Sequence, residues 1–195
     1  KYFKLKHALT FSSGTMAGFT SISSLGLGEN SCALVSKLTF PSSIVSLLLN
    51  NIRPIYLDFD KDLNPIVDNL VLDKKPELAL LTNAYGFPID KKVYDKIRII
   101  NPSIKIISDC SHSQGAKINE EYVNKLADIS FMSLQGDKAI SGGEGGVCCT
   151  NSDELYNKMI LLSHPGRKNK NPVTLSIYVG LGIINKGRMH PLAAP

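Results

Sequence analysis

Short apolar runs alternate along the chain with longer stretches in which apolar residues recur every three or four positions. Runs of the first kind occupy 7–12, 32–36, 54–58, 78–82, 104–109, 129–133 and 146–150, and their length and β-branched content predict seven strands. Helical spacing marks 16–25, 41–51, 89–101, 119–126 and 153–163. Strands that alternate with helices in this way predict an α/β fold of three layers, α/β/α, with helices on both faces of a mostly parallel seven-stranded sheet. Beyond Leu162 the period dissolves into HPGRKNKNP and VGLGIINKGRMHP, which read as a mobile loop.

The 195 residues suit a single domain spanning 1–195, with no internal repeat or linker. A net charge of +5 could attract a polyanion, but the lysines and arginines are scattered, with Arg167, Lys168 and Lys170 the densest group. A solvated surface accounts for them, and no nucleic-acid partner is expected. Cys32, Cys110, Cys148 and Cys149 form neither a zinc-type pair nor a secreted disulfide framework, so no metal site is expected and a reducing cytoplasm suits them. No apolar stretch approaches the roughly 18 residues of a membrane span, and the N-terminus lacks a signal peptide's apolar core, so no membrane partner is expected. The chain starts without Met and opens almost directly into a strand, which reads as an interior piece of something longer.

Ligands of open α/β sheets bind beyond the carboxyl ends of strands, which directs attention to polar residues that follow apolar runs. Four places qualify: SSGT (12–15), SDCSH (108–112), SLQGDK (133–138) and GGEGG (142–146). In SSGT a strand hands over to a helix, with Gly14 allowing a tight turn and Thr15 beside amides that attract phosphate; plain helix capping is the ordinary alternative. Asp109 ends a run expected in mid-sheet, where a carboxylate needs a cationic or donor partner, although a lone aspartate at a strand end more commonly caps a helix. Lys138 lies between a strand and a glycine-rich turn, a place for a nucleophilic amine if it enters a cleft and for a solvated side chain if it does not. His112 and Glu144 carry the same two readings, a satisfied histidine and a turn carboxylate being the commoner ones.

Taken in order, SSGT, KLTFPSS, SDCSHSQGA and SLQGDKAISGGEGG resemble the DegT/DnrJ/StrS-type nucleotide-sugar aminotransferases, a branch of the fold-type I pyridoxal-phosphate enzymes. The resemblance implies the pyridoxal-phosphate-binding large domain, with a family member's N-terminal arm and smaller C-terminal domain outside it. It further implies that Gly14 and Thr15 form the phosphate turn, and that Phe40 stacks on the cofactor ring. Asp109 matches the partner of the pyridinium nitrogen, and His112 a position near the ring hydroxyl. Ser133 matches a phosphate contact, and Lys138 the Schiff-base lysine that also moves protons. Glu144 falls in a structural turn. The implied reaction transfers an amino group from a small-molecule donor, glutamate or glutamine, to a keto sugar or a related cyclitol. The setting would be an envelope-polysaccharide or secondary-metabolite pathway, and the enzyme a homodimer. Related sugar dehydratases carry histidine in place of the lysine, so Lys138 favours transamination.

The chain departs from the family pattern where Cys110 and Ser111 replace alanines, where LQGD precedes Lys138, and in NKGRM, whose Asn185 is displaced by one residue and receives no role. The alternatives are a truncated or degenerate non-catalytic copy of the fold, and a desulfurase or lyase, which would want a mobile reactive cysteine.

Overall fold

The computed structural model describes residues 2–68, 70–163, 187 and 189. The elements follow in the order β1 (His7–Phe11), α1 (Gly14–Ser23), β2 (Ser31–Ser36), α2 (Pro41–Leu49), β3 (Ile52–Leu57), β4 (Leu78–Thr82), α3 (Lys91–Ile100), β5 (Lys105–Asp109), β6 (Lys117–Ile118), β7 (Glu121–Tyr122), β8 (Ile129–Ser133), β9 (Gly146–Thr150) and α4 (Asp153–Ser163), with single 3-10 turns at Ala84–Gly86 and Val123–Lys125. Seven strands form one sheet in the order β1-β9-β8-β5-β4-β2-β3. Parallel pairing joins β3, β2, β4, β5 and β8, while β9 runs antiparallel to both β8 and β1. All seven expected strands are present, and the three-layer α/β/α expectation holds.

Packing explains the layers. Leu78, Leu80, Ile107, Ile129 and Cys148 point to one face and pack with Ala17 and Ile22 of α1, Leu47 of α2, and Leu155 and Met159 of α4. Alternate residues Ala79, Leu81 and Ile106 face the other way, against Val93, Tyr94 and Ile97 of α3. Strands buried on both faces read as continuous apolar runs, as LALLT does in β4.

The helix expected over 119–126 is absent. Asn119 and Glu120 both take left-handed backbone, at φ 47° and 65°, and join β6 to β7 as a two-residue hairpin. Asn is well suited to such a turn, and two consecutive positive-φ residues are incompatible with a helix. Val123, Ile118 and Ala116 then cover Cys110, Met132 and Cys149 beside α3 on the second face. The apolar spacing that suggested a helix is real, but it belongs to a hairpin and a 3-10 turn. The expected loop after Leu162 lies almost wholly outside the described residues, as does Asn185.

Helix α1 starts two residues before its expected position. Ser13 is its cap, its Oγ accepting from the Met16 amide at 3.1 Å. Gly14 is therefore helical, and the turn needs no positive φ from it. What excludes a side chain is proximity: a Cβ on Gly14 would lie 2.7 Å from Cβ of Ser133. Gly146 is confined in the same way, since a Cβ there would strike the Ser13 carbonyl. These two approaches press the ends of β1, β8 and β9 together under the helix.

Candidate active site

A cleft of about 450 Å³ opens at the carboxyl ends of the parallel strands, and Gly14, Thr15, Phe40, Asp109, His112, Ser133, Lys138 and Glu144 all line it. Every residue singled out as a site candidate in the sequence is thus brought to one place. The strands explain the convergence. Parallel β2, β4, β5 and β8 end on the same edge, and the reversal of β9 returns the glycine-rich turn to that edge.

The wall at α1 is a helix N-terminus. Ser13 satisfies the amides of Met16, through Oγ, and Ala17, through its carbonyl at 3.0 Å. The amides of Gly14 and Thr15 have no intrahelical acceptor, which makes this wall attractive to an anion. Just before it, the Ser12 amide donates to the Gly187 carbonyl at 2.6 Å, and Gly187 in turn donates to Ser163 at 2.8 Å. Phe40 precedes α2 and is 67% exposed, so its ring is free at the wall and is not a packing element of the core.

Asp109 is 5% exposed. Burial pushes its carboxyl above the usual carboxylate range, opposed by hydrogen bonding from Ser111, whose amide lies 2.9 Å from Oδ1, and by the positive fields of His112 and Lys138. Among the described residues no cation reaches ion-pair distance of it. Lys138 sits in the loop between β8 and β9, with its side chain only 14% exposed. Its Nζ is 3.2 Å from His112 Nε2 and 3.3 Å from Asp137 Oδ2. The Tyr85 amide donates to His112 Nδ1 at 3.3 Å, which orients the ring with Nε2 toward the amine.

Several lining residues carried no signal in the sequence reading. Tyr85 follows β4, with φ 54°, a 70% exposed ring and its centroid 5.9 Å from that of His112. The rule that picks out polar residues after strand ends would have reached it had NAYG been weighed with the other four places. Ser111, which stands where the family pattern has alanine, accepts from the Ser133 amide at 3.0 Å and so ties β5 to β8 below the cleft. The four cysteines are all buried and free. Burial raises each of their thiols, Cys110 to about 12 and Cys149 to about 11, so none is a reactive thiolate of the kind a desulfurase uses.

The three-layer α/β/α fold, with a cleft at the carboxyl edge of its parallel strands that a buried aspartate and a sheltered lysine both line, is that of the fold-type I enzymes. Residues 1–194 match the DegT/DnrJ/EryC1/StrS aminotransferase family, and the chain belongs to it. Among similar proteins, a GDP-perosamine synthase of Vibrio cholerae is 27% identical over 85% of this chain and 46% of its own length. An L-glutamine:2-deoxy-scyllo-inosose aminotransferase of Streptoalloteichus tenebrarius is 25% identical over 85% of this chain and 40% of its own. The solved structure of Helicobacter pylori PseC, described as an aminotransferase involved in the biosynthesis of pseudoaminic acid, superposes with a TM-score of 0.79 at 24% identity, over 88% of this chain and 47% of that one. The chain spans less than half the length of the curated relatives it matches. Among the described residues no helix is long and apolar enough to cross a membrane.

Proposed function

We propose that this chain carries the pyridoxal 5'-phosphate site of an aminotransferase, which moves an amino group from glutamate or glutamine to a keto group on a nucleotide-linked sugar or a related cyclitol. The observation that carries the reading is the convergence of Asp109 and Lys138 on a cleft walled by the N-terminus of α1. The residues fit the cofactor on chemical grounds. A buried carboxylate whose pKa is raised, with no cation in ion-pair distance among the described residues, suits a protonated ring nitrogen, which would supply a positive charge beside it. The free amides of Gly14 and Thr15, with the hydroxyls of Thr15 and Ser133, suit a phosphate dianion. The exposed ring of Phe40 suits stacking on a flat aromatic group.

When bound, the cofactor supplies an electron sink for the carbanion that transamination requires. The protein's part is to bind, orient and move protons. Asp109 would keep the ring nitrogen protonated, and its burial excludes the water that would compete for that bond. Lys138 Nζ would serve first as a nucleophile and then as a base that takes a proton from Cα of the donor; in the second half-reaction it would return a proton to the sugar carbon. His112 Nε2, 3.2 Å from Nζ, would hold the amine in position between these transfers.

The acceptor class rests on the names of the relatives, which are a perosamine synthase and a cyclitol aminotransferase, and the glutamine donor on the latter's name. A homodimer in the cytoplasm is part of the same reading, supported by four free thiols that suit a reducing compartment. The test is a panel of nucleotide-linked keto sugars and keto-cyclitols offered to the protein from its full-length gene, with labelled glutamate or glutamine as donor. Transfer of label to at least one acceptor is expected. Failure of either donor to discharge the cofactor's visible absorbance would leave the non-catalytic alternative.

A further inference from the structure

Gln114 lies outside every role given above, yet its side-chain amide is fully engaged. It pairs with Ile140 as one strand residue pairs with another: the Ile140 amide donates to Oε1 at 2.5 Å, and Nε2 donates back to the Ile140 carbonyl at 3.3 Å. Nε2 also donates to the Ser133 carbonyl at 2.6 Å. These two backbone positions bracket Lys138, five residues before it and two residues after it. The same short segment holds Asp109: the Ser111 amide donates to the Asp109 carboxylate at 2.9 Å, while Ser111 Oγ accepts from the Ser133 amide at 3.0 Å. Segment 109–114 therefore grips the carboxylate at one end and the backbone around the lysine at the other.

The loop from 134 to 145 needs such a hold. Its base is closed by Leu134 donating to Gly145 and Gly142 to Leu134, both at 2.8 Å, and Lys138 sits on a turn that donates to the Gln135 carbonyl at 3.0 Å. Two further bonds of the loop's backbone, from the Gly143 amide to Ser141 Oγ and from the Gln135 amide to Ser133 Oγ, are local. Among the described residues, Gln114 is the side chain from elsewhere in the chain that bonds the loop's backbone. An amide is the chemistry the position demands, since it must accept from one N–H and donate to two carbonyls at once.

We infer that Gln114 is a positioning residue that sets the depth of Lys138 in the cleft relative to Asp109, by clamping the backbone on both sides of the lysine. The inference rests on the proposed roles of Asp109 and Lys138. Small displacements of a reacting group cost large factors in rate, so the clamp matters to chemistry even where it matters little to folding.

The experiment uses the protein from the full-length gene and two variants: Gln114→Met, which keeps the length and loses all three bonds, and Gln114→Glu, which keeps the acceptor and loses both donations. In cofactor-free protein, amide exchange at Ile140 should quicken at least about fivefold in Gln114→Met, as the loss of one ordinary hydrogen bond implies, and less in Gln114→Glu. With pyridoxal phosphate added, both variants should form the lysine-bound absorbance more slowly and shift the pH at which it changes, with kcat falling more than KM rises. Wild-type exchange at Ile140 in Gln114→Met overturns the clamp. Faster exchange with an unchanged absorbance pH profile and unchanged kcat overturns the positioning role, leaving a mere fold contact. The two readings separate cleanly: a wild-type protein that never shows the lysine-bound absorbance counts against the cofactor site, while the exchange result still reports on the clamp.

Discussion

Burial holds the Asp109 carboxyl above its ordinary range, so its ionised form costs the folded, cofactor-free protein stability. A carboxyl raised in the folded state favours folding fully below its unfolded pKa of about 4, and that contribution is lost as pH rises through the folded value. Asp109→Asn removes this titration. Relative to wild type, the cofactor-free variant should therefore gain stability between acidic and neutral pH, while losing cofactor binding and turnover. Denaturant unfolding of both proteins at about pH 4 and pH 7 checks the sign; a difference independent of pH contradicts it. Phe40 offers a complementary contrast. A buried Phe→Ala change costs about 3–5 kcal/mol, but this ring is 67% exposed, so Phe40→Ala should change unfolding free energy by less than about 1 kcal/mol. Cofactor affinity should fall about five- to tenfold, the size of a lost stacking contact. A large loss of stability with unchanged affinity would return Phe40 to the core. Asp109 ends an apolar run and Lys138 follows one, but it was the resemblance of the surrounding motifs that set them apart from a capping aspartate and a solvated lysine. Gln114 was not, because its partners are backbone groups of Ser133 and Ile140, which leave no trace in residue type.

At the scale of elements, apolar periodicity identified every strand of the sheet and failed over 119–126. There Tyr122, Val123 and Leu126 fall at helical spacing, but the backbone signs of Asn119 and Glu120 decide the structure, and periodicity does not register them. Glu120 at φ 65° is strained relative to glycine, whereas its ion pair with Lys117 is largely exposed and contributes little. Glu120→Gly should therefore stabilise the protein by up to about 1 kcal/mol, read as a rise in denaturation midpoint. A fall in midpoint would mean that the turn does not limit the hairpin. The reversal of β9 was equally hidden, since its five residues GVCCT look the same in either direction. That reversal brings Gly145 and Glu144 back to the ligand edge and places the lysine loop over β8.

At the scale of the whole molecule, the sheet order β1-β9-β8-β5-β4-β2-β3 gathers residues as far apart in sequence as Gly14 and Glu144 around one cleft. A doubly covered sheet supplies a rigid floor, and loops at its carboxyl edge supply the chemistry. The order of strands was not written in any local pattern. The account stands on Lys138 being the amine that joins the cofactor. Borohydride reduction of the pyridoxal-phosphate-loaded protein, followed by peptide mass spectrometry, tests this most directly. The account predicts a single pyridoxyl group on Lys138, absent in Lys138→Ala. A reduced adduct that persists in Lys138→Ala, or that maps to another lysine in the wild type, contradicts it.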